Sequence, residues 1–232
     1  MSSVLLIPLV GPMQSWGTRS RFQIRDTERA PSKSGVIGIL CAALGRDRAE
    51  PLDDLVSLKM GVRVDREGDV HKDYQTAQDV ATADDSKANM ISDRYFLSDA
   101  VFLVGLEGND FHLLEGAHKA LSNPTWALSL GRKSYVPSAP LYLVDGLKEG
   151  TDLRSALLGY PLLTGKNVDH GRDVESTIRL ILESQTPTRE SRMDTPVSFS
   201  IDSREYHKRF ITTEFLPLNN FKEEDGTCIC LK

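Results

Sequence analysis

Three cysteines in 232 residues, Cys41, Cys228 and Cys230, are too few for a disulfide framework, so a reducing, cytoplasmic setting is the expectation. Long apolar runs are equally absent. The two best, residues 4–10 and 101–106, fall far short of the roughly 18–20 residues that a membrane-spanning helix needs, and the first carries Pro8. Met1, Ser2 and Ser3 lead straight into that first run with no basic stretch before it, so no secretory peptide is expected. There is no repeat of fixed period and no low-complexity tract. A content of 40% hydrophobic and 26% charged residues excludes a disordered, collagen-like or coiled-coil chain. What remains is a globular protein long enough for one generous core or two modest ones.

An excess of positive charge is missing too. The formal net charge of −5 by itself argues against a nucleic-acid partner, because a protein that neutralises phosphates carries a positive footprint. The average conceals an asymmetry. Residues 1–46 hold six Lys or Arg against two acids, a net of +4, whereas residues 47–85 hold five against eleven, a net of −6. The chain can therefore present one basic face inside an acidic whole.

Signatures of metal and nucleotide chemistry fail on inspection. The stretch from Gly159 to Asn167 resembles a phosphate loop, but five residues separate its glycines rather than four. Asn167 also stands where a Ser or Thr would hold magnesium, and Pro161 interrupts the loop. Cys228 and Cys230 have no second Cys or His pair at zinc spacing, so neither a metal nor a cofactor is expected. His71, His112, His118, His170 and His207 are scattered, and His118 lies on the apolar stripe of a helix, where it reads as a hydrogen-bonded core residue. Tyr206, His207, Lys208 and Arg209 could supply the base and cation of a metal-free ribonuclease. A solvated charged face beside a strand is the competing reading.

Periodicity places a buried strand at residues 4–10, ended by the Gly11-Pro12 turn, and then a long polar connection to about Pro31. Ser32 or Ser34 caps a helix whose apolar positions Val36, Ile37, Leu40, Cys41 and Leu44 recur at three- and four-residue spacing, with Gly45 as its stop. A short helix at 51–58 precedes a strand at 59–65 with one wet face, a turn at 66–69 and a returning strand through 70–78. Residues 79–92 lack a period and read as an exposed hairpin tip or loop. A strand at 95–107, a helix at 111–121 and a strand at 141–144 complete a split, ferredoxin-like βαββαβ order with an insertion between its second and third strands. The expected architecture is α+β: residues 1–145 form this unit, with a protrusion near 66–94. Residues 146–232 form a smaller, mostly β region, with strands at 178–183, 197–201 and 209–215.

Two segments carry binding chemistry. Residues 11–17 combine Gln14 and Trp16 and open the basic stretch Arg19, Arg21, Arg25. An indole stacks a base, an amide reads a base edge and guanidiniums hold phosphate, although Trp16 reads equally well as a core residue. In residues 130–137, Gly131 allows close backbone approach beside Arg132 and Lys133, the elements of a phosphate clamp.

The opening VLLIPLVGPMQSWG, the RAPSKSGVIGILCAALG of residues 29–45, the DYQT of 73–76, the RYFLSDA of 94–100 and the LGRK of 130–133 occur in an order that resembles the Cas-five family, the CasD subunits of type I-E CRISPR Cascade complexes. The likeness runs through about the first 145 residues and is looser beyond. It implies an RNA-binding protein of the repeat-associated class, with a ferredoxin-like (RRM-like) palm and a β-hairpin thumb. Such a subunit holds the 5′ handle of the guide RNA and caps the backbone of an antiviral surveillance complex. Its partners would be the guide RNA, the neighbouring backbone and large Cascade subunits, and target DNA through the complex, with no membrane.

Carried over residue by residue, the resemblance adds Lys33, Ser34 and Gly35 at the start of the first helix, where free N–H groups suit a phosphate, and Tyr74 and Gln75 leading into the thumb. Some members of another subtype cut precursor RNA with a tyrosine, lysine and histidine constellation. Here Ser134 follows Lys133, so the matching Lys-His pair is absent and the non-cutting group is the better match. The acids Asp79, Asp84 and Asp85 in the thumb are unusual for an RNA contact: the thumb either faces a basic neighbouring subunit or bends over the RNA through backbone and small residues. The rival readings are a metal-independent endoribonuclease using His207 or His71, and a scaffold that touches only protein.

Overall fold

The first strand, β1 (Ser3–Val10), is buried from Ser3 to Leu9 because both faces of its sheet are covered. Leu5, Ile7 and Leu9 point into one hydrophobic core, and Val4 and Leu6 into another on the opposite face. That is why the strand reads as a continuous apolar run rather than an alternation. The computed structural model describes residues 2–18, 24–81, 87–163, 177–200 and 202–218.

After β1 come the short β2 (Met13–Gln14) and β3 (Ile24–Arg25), then helices α1 (Lys33–Leu44) and α2 (Asp53–Val56). Strand β4 (Lys59–Arg66) leads into a long hairpin, β5 (Asp69–Ala81) and β6 (Lys87–Ser98), followed by β7 (Val101–Gly108) and α3 (Phe111–Ser122). The remainder is β8 (Leu147–Glu149), α4 (Leu153–Gly159), β9 (Thr177–Ser184), β10 (Glu190–Ser198) and β11 (Glu205–Pro217). Seven strands form one antiparallel sheet in the order β10-β11-β9-β4-β7-β1-β8. Strand β9 pairs with β4, so the C-terminal strands extend the N-terminal sheet. Helices α1 and α3 pack on one face and α4 on the other. The hairpin belongs to a second sheet, in which β6 also pairs with β2 and β3.

Several local expectations are corrected. Strand β4 has no wet face: Arg63 is fully buried and paired with Asp65 at 2.6 Å. Its guanidinium also donates to the carbonyls of Leu157, Tyr160 and Pro161, which take the bonds that the end of α4 leaves unfilled. The region at 79–92, read as a hairpin tip or loop, belongs to the hairpin, and its described residues are strand rather than loop, with β5 and β6 paired as far as Ala81 and Lys87. Both hairpin faces are largely exposed, so no alternation marks them. The single strand expected at 95–107 is two, separated at Asp99, whose φ is 54°. Residues 141–144 are irregular, and the strand lies later, at β8. The sequence reading missed the seven-residue α4, whose N-cap is Asp152.

Candidate nucleic-acid interface

The chain leaves β1 through Gly11 and Pro12 and turns back under α1. Gln14 is fully buried there: its amide donates to the carbonyls of Leu9 (3.2 Å) and Ala100 (2.8 Å), and its oxygen accepts from the Trp16 indole N–H at 3.2 Å. Trp16 is 1% exposed and lies flush against the helix, so a Cβ at Gly35 would stand 2.8 Å from its Cε3. Their polar groups are satisfied inside the protein, and both side chains form packing that seats α1 on the first strand.

Lys33 is also withdrawn. Its side chain is 2% exposed and pairs with Glu183 at 3.0 Å, and burial outweighs that attraction to pull its pKa below the usual lysine value. Its backbone N–H donates to Asp194 Oδ2 at 3.0 Å, and Asp194 is held in turn by Arg209 through Nε (2.9 Å) and Nη2 (2.7 Å). Burial presses the Asp194 carboxyl upward, but the Arg209 bonds and charge, with the Lys33 N–H, hold it below the ordinary carboxylate range. Ser32 caps the Gly35 N–H at 3.3 Å. A protein carboxylate and hydroxyl therefore take N–H groups expected to meet a phosphate, and the network ties α1 to β9, β10 and β11.

The loop at residues 130–135 is fixed against the same region. Ser15 N–H donates to the Leu130 carbonyl at 3.0 Å, and Gly131 has φ +96°. Arg132 turns inward, donating to the Tyr135 hydroxyl (2.6 Å) and to the carbonyls of Tyr95 (2.9 Å) and Arg25 (3.2 Å). Lys133 is exposed and has no partner among the described residues. The two expected clamp cations thus divide: one braces the loop and the other faces solvent.

These pieces border a groove of about 1000 Å³. Its floor is the open side of α1, where Ser34, Gly35, Gly38 and Ala42 leave little side-chain bulk; a Cβ at Gly38 would touch nothing within 4 Å. Residues 126–129 with Gly131 and Lys133 form one wall, and Phe199, Arg204 and Tyr206 complete the lining. Arg46, Arg48, Lys133 and Arg204 line it against a single acid, Asp47. Arg46 is doubly hydrogen-bonded to Asp54, which lies outside the lining. Cys41 borders the floor as a neutral thiol, its pKa pushed up to about 11 by burial. Of the expected site residues, Ser34, Gly35, Gly131 and Lys133 are brought together here. Arg46, Arg48, Arg204 and Trp126 were missed because only the fold gathers four such distant positions.

The other expected residues lie elsewhere. Arg25 is exposed on β3, and Tyr74 and Gln75 are exposed on the hairpin, with Gln75 donating to Asp73 at 2.6 Å. Arg19, Arg21, Asp84, Asp85, Asn167, His170, Cys228 and Cys230 lie outside the described residues. His118 donates from Nε2 to the Leu143 carbonyl at 2.7 Å and stacks on Tyr142, as a core histidine does. His207 is exposed, 3.6 Å from Glu205, and His71 stacks on Phe96; neither lines the groove. Among the described residues no helix is long and apolar enough to cross a membrane.

A family model described as "CRISPR-associated protein (Cas_Cas5)" matches residues 4–212. The chain is 33% identical over 181 residues to the CRISPR system Cascade subunit CasD of Escherichia coli (strain K12), covering 71% of this chain and 80% of that protein. Its structure resembles one described as "Crystal structure of Cas protein" (46% identity, TM-score 0.76, 96% of this chain and 100% of the other). It also resembles a chain of a "CRISPR RNA-guided surveillance complex" (32% identity, TM-score 0.74, 96% and 94% covered). On a match that spans most of its length, the chain belongs to the CRISPR-associated Cas5 family.

Proposed function

We propose that this protein is the non-catalytic subunit of a Cascade-type antiviral complex that holds the 5′ handle of the guide RNA and caps the backbone, with the groove beside α1 as its RNA seat. The observation that carries this reading is electrostatic: Arg48, Lys133 and Arg204, beside the Asp54-paired Arg46, line a groove with one carboxylate in a chain whose net charge is −5. A polyanion is the ligand such a lining selects, and a floor of small residues lets a sugar-phosphate backbone lie close to the helix. Lys133, Arg48 and Arg204 supply phosphate contacts. Ser34, Gly38 and Ala42 supply room, Gly35 and Gly131 admit the close packing of Trp16 and Ser15 that shapes the groove, and Gln14, Trp16, Lys33 and Arg132 act behind the surface as positioning residues.

The strand order β4-β7-β1-β8, with α1 and α3 as the crossovers, supports reading the first part of the chain as a ferredoxin-like palm, and the β5–β6 hairpin as its thumb. Tyr74, Gln75 and Arg25 then belong to the thumb and its base. The hairpin's acids favour a basic neighbouring subunit over the RNA backbone. The ribonuclease alternative is disfavoured because His71 and His207 stand outside the groove and, among the described residues, no histidine lines it.

The test is co-purification. The chain is expressed with its neighbouring Cascade subunits and a CRISPR transcript, and the RNA retained is extracted and sequenced. A uniform 5′ handle is expected, and its loss on combined Arg48→Ala, Lys133→Ala and Arg204→Ala substitution. A complex that assembles without RNA would sink the reading in favour of a protein-only scaffold. Site-specific cleavage of repeat RNA in chelator, abolished by His207→Ala or His71→Ala, would sink it in favour of the enzyme.

A further inference from the structure

The chain holds two tryptophans, and the fold treats them oppositely. Trp16 is 1% exposed and serves the core; Trp126 is 48% exposed and lines the groove. Among the described residues Trp126 has no ring or cation partner, and about half of it is open to solvent.

Its position is nonetheless fixed. The Thr125 and Trp126 N–H groups donate to the carbonyls of Ala43 and Ala42 at 3.0 and 3.1 Å, which are free to accept because they belong to the last turn of α1. The backbone that carries the indole is thus docked on the helix that makes the groove floor. Gly38 and Ala42, one turn apart, add almost no bulk beside it.

We propose that Trp126 is the stacking platform of the groove and that its ligand is an unpaired nucleobase of single-stranded RNA; the proposal rests on the RNA-binding reading above and gives it a base contact. A preorganised, half-exposed indole offers a large π-face at little entropic cost, and stacking is available to any base. The lining distinguishes this occupant from an apolar protein segment: Arg48, Arg204 and Lys133 border the same groove, and cations flanking an aromatic face match the phosphates on either side of a stacked base. The indole therefore fixes where along the strand one base sits, a register that phosphate contacts alone leave free.

The experiment uses the assembled complex carrying its CRISPR RNA. Ultraviolet crosslinking with mass spectrometry should find a nucleotide adduct on the peptide containing Trp126. RNA retention across a salt series should fall roughly tenfold or more in Trp126→Ala and stay near wild type in Trp126→Phe. Because the side chain is half exposed, assembly should be unaffected, and the yield of complex reports that directly. RNA present at wild-type retention in Trp126→Ala, with adducts only elsewhere, would overturn the stacking role while leaving the RNA reading intact. A wild-type complex without RNA would overturn both.

Discussion

A Cβ at Gly131 would stand 1.8 Å from the carbonyl oxygen of Ser15, well inside any non-bonded approach. With φ at +96°, the position excludes other residues twice, by conformation and by contact. Gly131→Ala is expected to lower stability by about 3 kcal/mol, from backbone strain and displacement of the backbone at Ser15. Urea unfolding measures it, and an unchanged midpoint would refute the close approach.

Arg132 and Lys133, adjacent in sequence, are expected to fail in different ways. Lys133→Ala should leave stability within about 0.5 kcal/mol and shallow the dependence of log affinity on log salt by about one unit. Arg132→Ala removes three internal hydrogen bonds and should cost roughly 1.5–3 kcal/mol of stability. The division of labour fails if Arg132→Ala alters only the salt slope.

Gly38 separates the floor of the groove from the stability of the helix. Since a Cβ there meets nothing, Gly38→Ala should stabilise α1 by about 0.5–1 kcal/mol. Gly38→Leu should remain folded yet weaken RNA retention by filling the groove. Equal retention by the Leu variant and wild type would remove α1 from the binding surface.

Asp194 gives a pH signature. Its folded pKa lies below the ordinary Asp value of about 3.9, so its contribution is fully present above that value and is lost as pH falls through the depressed one. Asp194→Asn should cost about 3 kcal/mol near neutrality by removing the nearer of the two carboxylates paired with Arg209, Glu183 remaining at 3.8 Å, and the gap from wild type should shrink on acidification below about pH 4. A gap that is flat from pH 7 to pH 3 would contradict the assignment.

The sequence disclosed what local chemistry controls. The Ser32 cap, the Gly45 stop at φ +73° and the unbroken apolar β1 are written in neighbouring residues, and all were legible. Arg63 and Asp65 misled because their alternation with Met60, Val62 and Val64 resembles a wet face. Only the presence of α4 reveals that the far side is covered. Trp16 misled for a related reason: an aromatic beside arginines fits a binding site or a core, and Gly35, nineteen positions away, decides between them. The groove was half legible. Its loop glycine and Lys133 stood in a motif, whereas Trp126, Arg48 and Arg204 meet only through tertiary folding.

Because Asp194 and Ser32 take N–H groups at the start of α1, those donors are committed to the fold and unavailable to a guest. What is left to grip a strand is a set of solvent-facing side chains that carry little of the core. Such a surface can change residue by residue while the scaffold beneath stays fixed. On the RNA-binding reading proposed above, point substitutions at the groove would retune the grip on the strand, each with little cost to folding.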